Sequence, residues 1–119
     1  MKIKKQTFQE DFSYLFKPEN QDFEIKLDEY QLMELFDESN EVVKYDISKT
    51  NELHAMNENV NAVVVNFFCD TIDIETLKKV QDEFDVFCNS FTNEPSCMWC
   101  TSSQVYNTKK LYAEIFLAR

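Results

Sequence analysis

Cysteine is the residue type with the clearest capacity for chemistry in this 119-residue chain. Cys97 and Cys100 stand three residues apart, a spacing that serves disulfide exchange or one half of a zinc site. A redox motif of that kind follows a strand and opens a helix. Here Pro95 precedes the pair and its surroundings are typical of a strand, in which this spacing points the two thiols to opposite faces. The sequence therefore predicts reduced cysteines in the core or at the surface, and no metal site.

The other residues suited to a catalytic or metal site are scattered or too common to be informative. A structural zinc site usually shows two close pairs of ligands, whereas Cys69, Cys88 and His54 lie far apart in the sequence. The single histidine stands in a polar stretch, which gives little support to a Ser-His-Asp or Cys-His arrangement. With 22 acidic residues, neighbouring carboxylates arise by chance. The prediction is a protein without catalytic residues or a cofactor.

Glycine is absent from the chain, and acidic residues are in excess. Average usage would give about eight glycines, and the loops that bind nucleotide phosphates depend on them for close backbone approach. P-loop, Rossmann and tubulin-type GTP-binding signatures are therefore excluded. Twelve basic against 22 acidic residues give a formal charge of −10, which disfavours direct binding to nucleic acid or an anionic membrane. Two interpretations remain: a surface that keeps the protein soluble, or one complementary to a basic partner.

The polarity of the chain also bears on where the protein works. Its basic N-terminus is followed by residues 6–11, which are polar where a signal peptide needs an apolar core. The longest apolar stretch, residues 62–69, is interrupted by Asn66 and is too short to cross a bilayer. These features predict a cytoplasmic protein.

The N-terminal third is expected to contain a tail, a helix, a short strand and a second helix. Residues 1–5 form a basic tail, and residues 6–18 an amphipathic helix that Pro18 ends. That helix turns Phe8, Phe12, Leu15 and Phe16 to the core. Residues 23–27 alternate as a short strand would, and Asp28 caps the second helix. The apolar side of the second helix is predicted to comprise Tyr30, Leu32, Met33, Leu35 and Phe36.

The rest of the chain has the pattern of an α/β core, which together with the short strand and second helix spans residues 23–119. Four segments have the composition of strands: residues 41–48, 61–68, 96–102 and 109–118. The second is apolar on both faces and belongs near the centre of the sheet. Residues 70–91 follow the helical period with Asp73 as N-cap, so strand, helix and strand form a βαβ unit. The expected fold is a single α/β domain with a four-stranded mixed sheet and two to three helices packed on it.

The order of these elements resembles the second domain of the tubulin/FtsZ family, together with the end of the helix that leads into it. The resemblance spans Tyr14 to Ala118 and rests on three stretches. Phe16-Lys17-Pro18 followed by residues 25–32 is similar to the family loop that carries Asn-x-Asp-Phe-x-Asp. Residues 61–68, with Asp70 and Asp73 opening a helix, resemble the family's Leu-Val-x-Ile strand and the helix after it. Residues 111–117 resemble its last core strand.

The resemblance implies a relative without catalytic activity. In the family, this loop helps to hydrolyse the nucleotide of the neighbouring subunit. The family's asparagine falls on Lys26, its first aspartate on Asp28 and its second on Gln31, so two of the three polar residues are replaced. The GTP-binding domain is also missing. The chain would then be a stand-alone version of the half that docks onto a neighbour's nucleotide face.

The function predicted from these features is that of a non-enzymatic, regulatory protein-binding module. It would cap or modulate a filament-forming tubulin/FtsZ-like GTPase, using as partner-binding residues Lys26, Asp28, Glu29, Gln31, Asp37 and Glu38. The alternative is an acidic inhibitor that mimics nucleic acid and occupies the basic cleft of a nuclease or DNA-binding protein, with steep salt dependence as its mark. A redox enzyme or metal protein built on Cys97 and Cys100 is the third possibility, and bound zinc or a low thiol pKa would indicate it.

Overall fold

One mixed β-sheet organises the parts of the chain that the computed structural model describes, residues 2–3, 5–16, 25–37, 41–53, 59–70, 73–103, 107 and 109–119. Within these residues the helices are α1 (Lys5–Asp11), α2 (Glu29–Asp37) and α3 (Ile74–Asn89). The strands are β1 (Lys2–Ile3), β2 (Val42–Ile47), β3 (Ala62–Cys69), β4 (Ser96–Ser103) and β5 (Ala113–Ala118). No helix in these ranges is both long and apolar enough to cross a membrane.

The strands lie in the order β1-β2-β5-β3-β4. β3 and β4 pair in parallel, with Val63 opposite Cys97, and α3 connects them. β5 runs antiparallel between β2 and β3. The predicted α/β fold, with its four main strands in a mixed sheet and one βαβ unit, is therefore confirmed. Within the predicted basic tail, residues 2–3 form β1 instead, a fifth strand at the edge beside β2.

β3 and β5 form the buried interior of the sheet because both of their faces are covered. Residues 62–68 and 113–118 are all buried. Strands covered on both faces have continuous apolar runs, and the run Ala62-Val63-Val64-Val65 predicted this position correctly. In β5 the residues that alternate along the strand lie on two faces of the sheet, and both faces are buried. Glu114 is the one charged residue of this strand.

α3 covers one face of the sheet. The Asp73 Oδ1 atom accepts a hydrogen bond from the Thr76 backbone N–H at 2.7 Å, which makes Asp73 the predicted N-cap. Val80, Phe84 and Phe87 are buried against odd-numbered strand residues that include Val63, Val65, Ala113, Ile115 and Leu117. The helical period of the sequence predicted this buried side because residues three and four apart share one face.

The opposite face is covered by α1, α2 and a 3-10 turn at Ser13–Leu15. The predicted core face of the N-terminal segment is confirmed, because its four apolar residues are buried: Phe8, Phe12, Leu15 and Phe16. The prediction of one continuous helix over residues 6–18 is wrong, since α1 ends at Asp11 and Phe12 has φ −117° and ψ 25°. Tertiary contacts of the following turn outweigh the local helical preference. Lys17 and Pro18 lie outside the described residues.

The predicted strand at residues 23–27 is also wrong where the structure describes it. Ile25 makes two hydrogen bonds to Thr101 on β4, at 2.9 Å to the hydroxyl oxygen and 3.0 Å from the backbone N–H. Leu27 then turns away, and its N–H donates to the Leu15 carbonyl at 2.9 Å. Hydrogen bonds from one residue do not make a strand of the sheet. Residues 25–27 therefore form an extended link between the sheet and the 3-10 turn. Residues 23–24 lie outside the described ranges.

Among the described residues of this glycine-free chain, two turns place charged residues in the left-handed region. Glu94 has φ 50° and Lys110 has φ 56°, values that favour glycine or asparagine. An asparagine side chain hydrogen-bonds to the backbone close to each turn, one residue before Glu94 and three residues before Lys110. The Asn93 amide donates to the Val60 carbonyl at 2.6 Å, and the Asn107 amide donates to the Leu111 carbonyl at 2.7 Å. Hydrogen bonds from asparagine side chains thus support backbone conformations that glycine would adopt more easily.

Candidate functional site

A row of polar side chains crosses the sheet on the face covered by α1 and α2. It comprises Ser102 on β4, Asn66 on β3, Glu114 on β5, and Lys44 and Asp46 on β2. The strand register places Asn66 opposite Glu114 and Glu114 opposite Asp46. Asn66, Ser102 and Glu114 are buried. We call these five residues the polar row; burial of such groups is costly unless each is hydrogen-bonded.

Glu114 is the centre of the polar row. Its Oε1 atom accepts hydrogen bonds from the Tyr14 hydroxyl at 2.7 Å and from the Asn66 amide at 3.1 Å. Its Oε2 atom lies 2.7 Å from the Lys44 ammonium nitrogen. The Asn66 carbonyl oxygen in turn accepts from the Ser102 hydroxyl at 2.8 Å. Donors and acceptors are thus matched from β4 to β2.

Lys44 and Asp46 in the polar row keep each other ionised. Lys44 Nζ also lies 2.8 Å from Asp46 Oδ1, and the Lys44 side chain is only 10% exposed. Burial alone would lower the pKa of Lys44, but hydrogen bonds and charges from Asp46 and Glu114 outweigh it and raise the pKa. Burial would raise the pKa of Asp46, but Lys44 and then Lys109 lower it. The Lys44 and Asp46 pair therefore stays charged at neutral pH.

The geometry of the polar row favours a structural role. A general base needs an oxygen that reaches a substrate proton. Both oxygens of Glu114 already accept hydrogen bonds, and the residue is 4% exposed. Burial, followed by the charge and hydrogen bond of Glu114, raises the pKa of Tyr14 far above its usual range. The row thus holds a neutral Tyr14, and with it the 3-10 turn, against the sheet.

Tyr14→Phe is expected to lower the free energy of unfolding by about 1–3 kcal/mol at neutral pH, because the buried Glu114 loses a donor. The raised pKa of Tyr14 makes its contribution complete below about pH 10, the ordinary tyrosine value, and progressively lost above it. Urea unfolding between pH 8 and about pH 11 should therefore show a steeper loss of stability for the wild type than for the variant. Tyr45→Phe serves as the control. Parallel pH curves for the wild type and Tyr14→Phe would contradict this assignment.

The two cysteines of the Cys97-x-x-Cys100 pair lie on opposite faces of the sheet, as predicted. Cys97 packs beside the apolar cluster under α3, whereas Cys100 is buried in the cluster under α1 and α2. The Cys100 thiol donates to the Asn66 carbonyl oxygen at 3.5 Å. Across the described part of the chain, no group of three or more His, Cys, Asp or Glu side chains is arranged to hold a metal ion.

Two shallow clefts of about 250 and 280 Å³ lie beside α3 among the described residues. One is at the carboxyl end of β3, where Asp70, Lys79 and Tyr112 contribute to its lining. The other lies between α3 and the 3-10 turn at Thr50–Glu52. Small-molecule pockets usually enclose about 300–1,000 Å³. Both clefts fall below that range.

The predicted partner-binding residues lie mainly on and around α2. Asp28, Glu29, Gln31 and Asp37 are exposed. The Asp28 carboxylate accepts from the backbone N–H groups of Tyr30 at 2.8 Å and Gln31 at 3.1 Å, so it is the predicted helix cap. Lys26 is half-buried, and its ammonium donates to the Tyr14 carbonyl. Lys26 therefore supports the N-terminal turn, and Glu38 lies outside the described residues.

The sequence analysis predicted the position of Tyr30 on α2 wrongly. It was placed on the apolar side of α2 but is 84% exposed, whereas Leu32, Met33 and Phe36 are buried. The sequence contained the relevant signal. Tyr30, Glu34 and Asp37 are spaced at i, i+4 and i+7 and so share one helix face, and two of these three residues are charged.

The exposed side of α2 combines negative charge with this aromatic ring. We call its five exposed residues the α2 acidic face: Glu29, Tyr30, Gln31, Glu34 and Asp37. No basic residue occurs from Asp28 to Asp37. The exposed surface of α3, by contrast, mixes Lys78 and Lys79 with its acids. Tyrosine is enriched where proteins bind one another because it offers a large apolar ring and a polar hydroxyl.

No family model, curated protein or solved structure matches the chain. The resemblance to the tubulin/FtsZ family consequently stays a prediction, and the geometry of the described residues is the basis for a functional proposal.

Proposed function

We propose that this protein is a non-enzymatic regulatory module that binds another protein through the α2 acidic face. The observation that carries the proposal is the position of Tyr30. Tyr30 is 84% exposed on a helix that has three acidic residues and no basic one. An isolated exposed aromatic residue is common. Tyr30, however, lies within an acidic surface, so the ring supplies contact area and the surrounding charges supply selectivity for a basic partner.

The partner should offer basic side chains around a recess that accepts the Tyr30 ring. Charges of opposite sign steer association and disfavour acidic competitors, and this contribution weakens as salt screens it. The ring contributes at short range, where its burial is insensitive to salt. The proposed interface therefore has two separable parts, a salt-dependent attraction and a salt-independent anchor.

The kind of partner that we propose is a filament-forming tubulin/FtsZ-like GTPase. Two features support it. From α2 onward the observed order is α2-β2-β3-α3-β4-β5, the same succession of helix, strand, strand, helix, strand and strand as in the resemblance; the helix over residues 6–18 and the strand at residues 23–27, which also belonged to it, are not observed among the described residues. The segment that resembles the family loop, residues 25–32, contains the first three residues of the α2 acidic face, Glu29, Tyr30 and Gln31. A module of this shape would cap a filament by occupying the surface that the next subunit needs.

Tyr30→Ala is expected to weaken binding to a purified filament-forming GTPase of this family by at least about tenfold, the effect of losing a central aromatic anchor. Glu34→Lys should weaken binding severalfold at low salt and have little effect at high salt. Fluorescence titration gives the affinities, and light scattering during GTP-dependent assembly shows whether filament growth stops.

Val86→Ala is the matched control, because Val86 is a 74% exposed apolar residue on α3. Unchanged affinity of Tyr30→Ala would contradict the α2 acidic face as the interface. Absence of binding to the GTPase, combined with salt-sensitive inhibition of a basic nuclease, would instead support the acidic-mimic alternative.

A further inference from the structure

β4 is the last strand at one edge of the sheet, and the outer side of its first part is open. It pairs along its inner side with β3. Ile25 bonds to the outer side at Thr101, and no described strand pairs with the residues before Thr101. Pro95, which has no N–H to donate, precedes the strand. We call residues 96–100 the open β4 edge.

The outward backbone groups of the open β4 edge belong to Cys97 and Trp99. The Thr101 N–H donates outward to the Ile25 carbonyl at 3.0 Å, whereas the Ser96 N–H donates inward, to the residue before β3, at 3.1 Å. Successive residues of a strand direct their N–H and C=O groups to opposite sides, so Cys97 and Trp99 share the outward direction of Thr101. Outward groups of this kind are a template for another strand.

The open β4 edge lacks the protection that edge strands usually have. Such strands are commonly kept very short or given charged residues. The opposite edge of the sheet follows this rule, because β1 has two residues and one of them is Lys2. Residues 95–108, by contrast, are the longest stretch of the chain without a charged residue, although 29% of all residues are charged. The open β4 edge is therefore a neutral strand in a highly charged protein.

We propose that the open β4 edge pairs with the same edge of a second copy of this chain, which forms a symmetric dimer with one continuous sheet. Two copies that each carry a formal charge of −10 repel one another, and contact through a neutral edge adds least to that repulsion. The two-fold symmetry closes the assembly at the dimer. The two-residue β1 at the other edge is too short to extend it.

An antiparallel pairing centred on Met98 uses the outward groups of both copies. It places Cys97 of one copy opposite Trp99 of the other, and opposed residues of this type exchange both of their backbone hydrogen bonds. Met98 then lies opposite Met98 of the second copy. Cys97, Met98 and Trp99 are each half-buried, so the pairing also covers side-chain area that remains exposed in the monomer. So short an edge buries less than the roughly 1,600 Å² of a standard interface, and we expect the dimer to be reversible.

Sedimentation velocity of the full chain tests the proposal, under reducing conditions and at loadings from about 5 to about 500 µM. The expected result is a concentration-dependent shift from 14.2 kDa to twice that mass. Trp99 is the single tryptophan of the chain, and its emission should move to shorter wavelength over the same range as water leaves the edge. Amide hydrogen exchange should slow at Cys97 and Trp99 at the higher concentrations, because their N–H groups become hydrogen-bonded.

Cys97→Pro is expected to weaken dimerisation at least about tenfold, because each copy loses an outward donor. Proline is tolerated on an edge strand where the N–H faces away from the sheet, so the pairing of β4 with β3 should persist. Cys97→Ala is the matched control, since it removes the thiol, keeps the N–H and should dimerise as the wild type does.

Four results would overturn the proposal. The first is a wild type that stays monomeric at every loading, which would leave the open β4 edge to a strand of a different protein. The second is growth beyond the dimer. The third is a dimer in which exchange at Cys97 and Trp99 does not slow, and the fourth is equal dimerisation of a folded Cys97→Pro variant. The first three come from the wild type and hold even where the proline variant folds poorly.

Discussion

Replacing Glu114 by alanine is expected to lower the free energy of unfolding by about 3–5 kcal/mol, because it removes one partner of a buried, hydrogen-bonded charge pair. Lys44, whose side chain is 10% exposed, would lose the counter-charge of Glu114 and keep that of Asp46. The Tyr14 hydroxyl and the Asn66 amide would each lose an acceptor. The cost comes mainly from the interactions that these buried groups lose rather than from the net contribution of the pair.

Urea unfolding of Glu114→Ala and of Glu10→Ala, an exposed glutamate on α1, measures this effect against a surface control. The control should change stability by no more than about 0.5 kcal/mol. The double variant Lys44→Met with Glu114→Leu should recover part of the loss, because it removes both buried charges. A loss below about 1 kcal/mol for Glu114→Ala would contradict the central place of Glu114 in the polar row.

Phe8→Ala is expected to destabilise the protein by about 3–5 kcal/mol, the usual cost of removing a buried phenylalanine and leaving a cavity. Phe8 is fully buried. Its ring centroid lies 5.3 Å from Phe12, 4.6 Å from Phe36 and 5.4 Å from Phe116. The residue therefore joins α1 to both α2 and the centre of the sheet.

Thermal and urea unfolding of Phe8→Ala beside Tyr30→Ala separates core from surface aromatic residues. Tyr30→Ala should stay within about 0.5 kcal/mol of the wild type, which also ensures that its binding defect reports on the interface. Equal destabilisation by the two substitutions would show that α2 buries Tyr30 and would remove the basis for the α2 acidic face. A small effect of Phe8→Ala alone would contradict the packing of α1 on the sheet.

The sequence by itself determined the helices and strands that are predicted by residues close to one another along the chain. The apolar run at residues 62–68 predicted a strand buried on both faces, and β3 has that position. The helical period after Asp73 predicted both the cap and the buried side of α3. Strand, helix and strand in succession predicted the βαβ unit. Side-chain periodicity and capping depend on residues within a few positions of one another, and one sequence contains that information in full.

The tertiary structure alone decided the features that join distant residues. The end of α1 at Asp11 and the following turn bring Tyr14 to Glu114, 100 positions away. The polar row exists because four strands align in one register. Local propensity is worth less than about 1 kcal/mol per residue, so burial and hydrogen bonding between distant segments outweigh it wherever the two conflict.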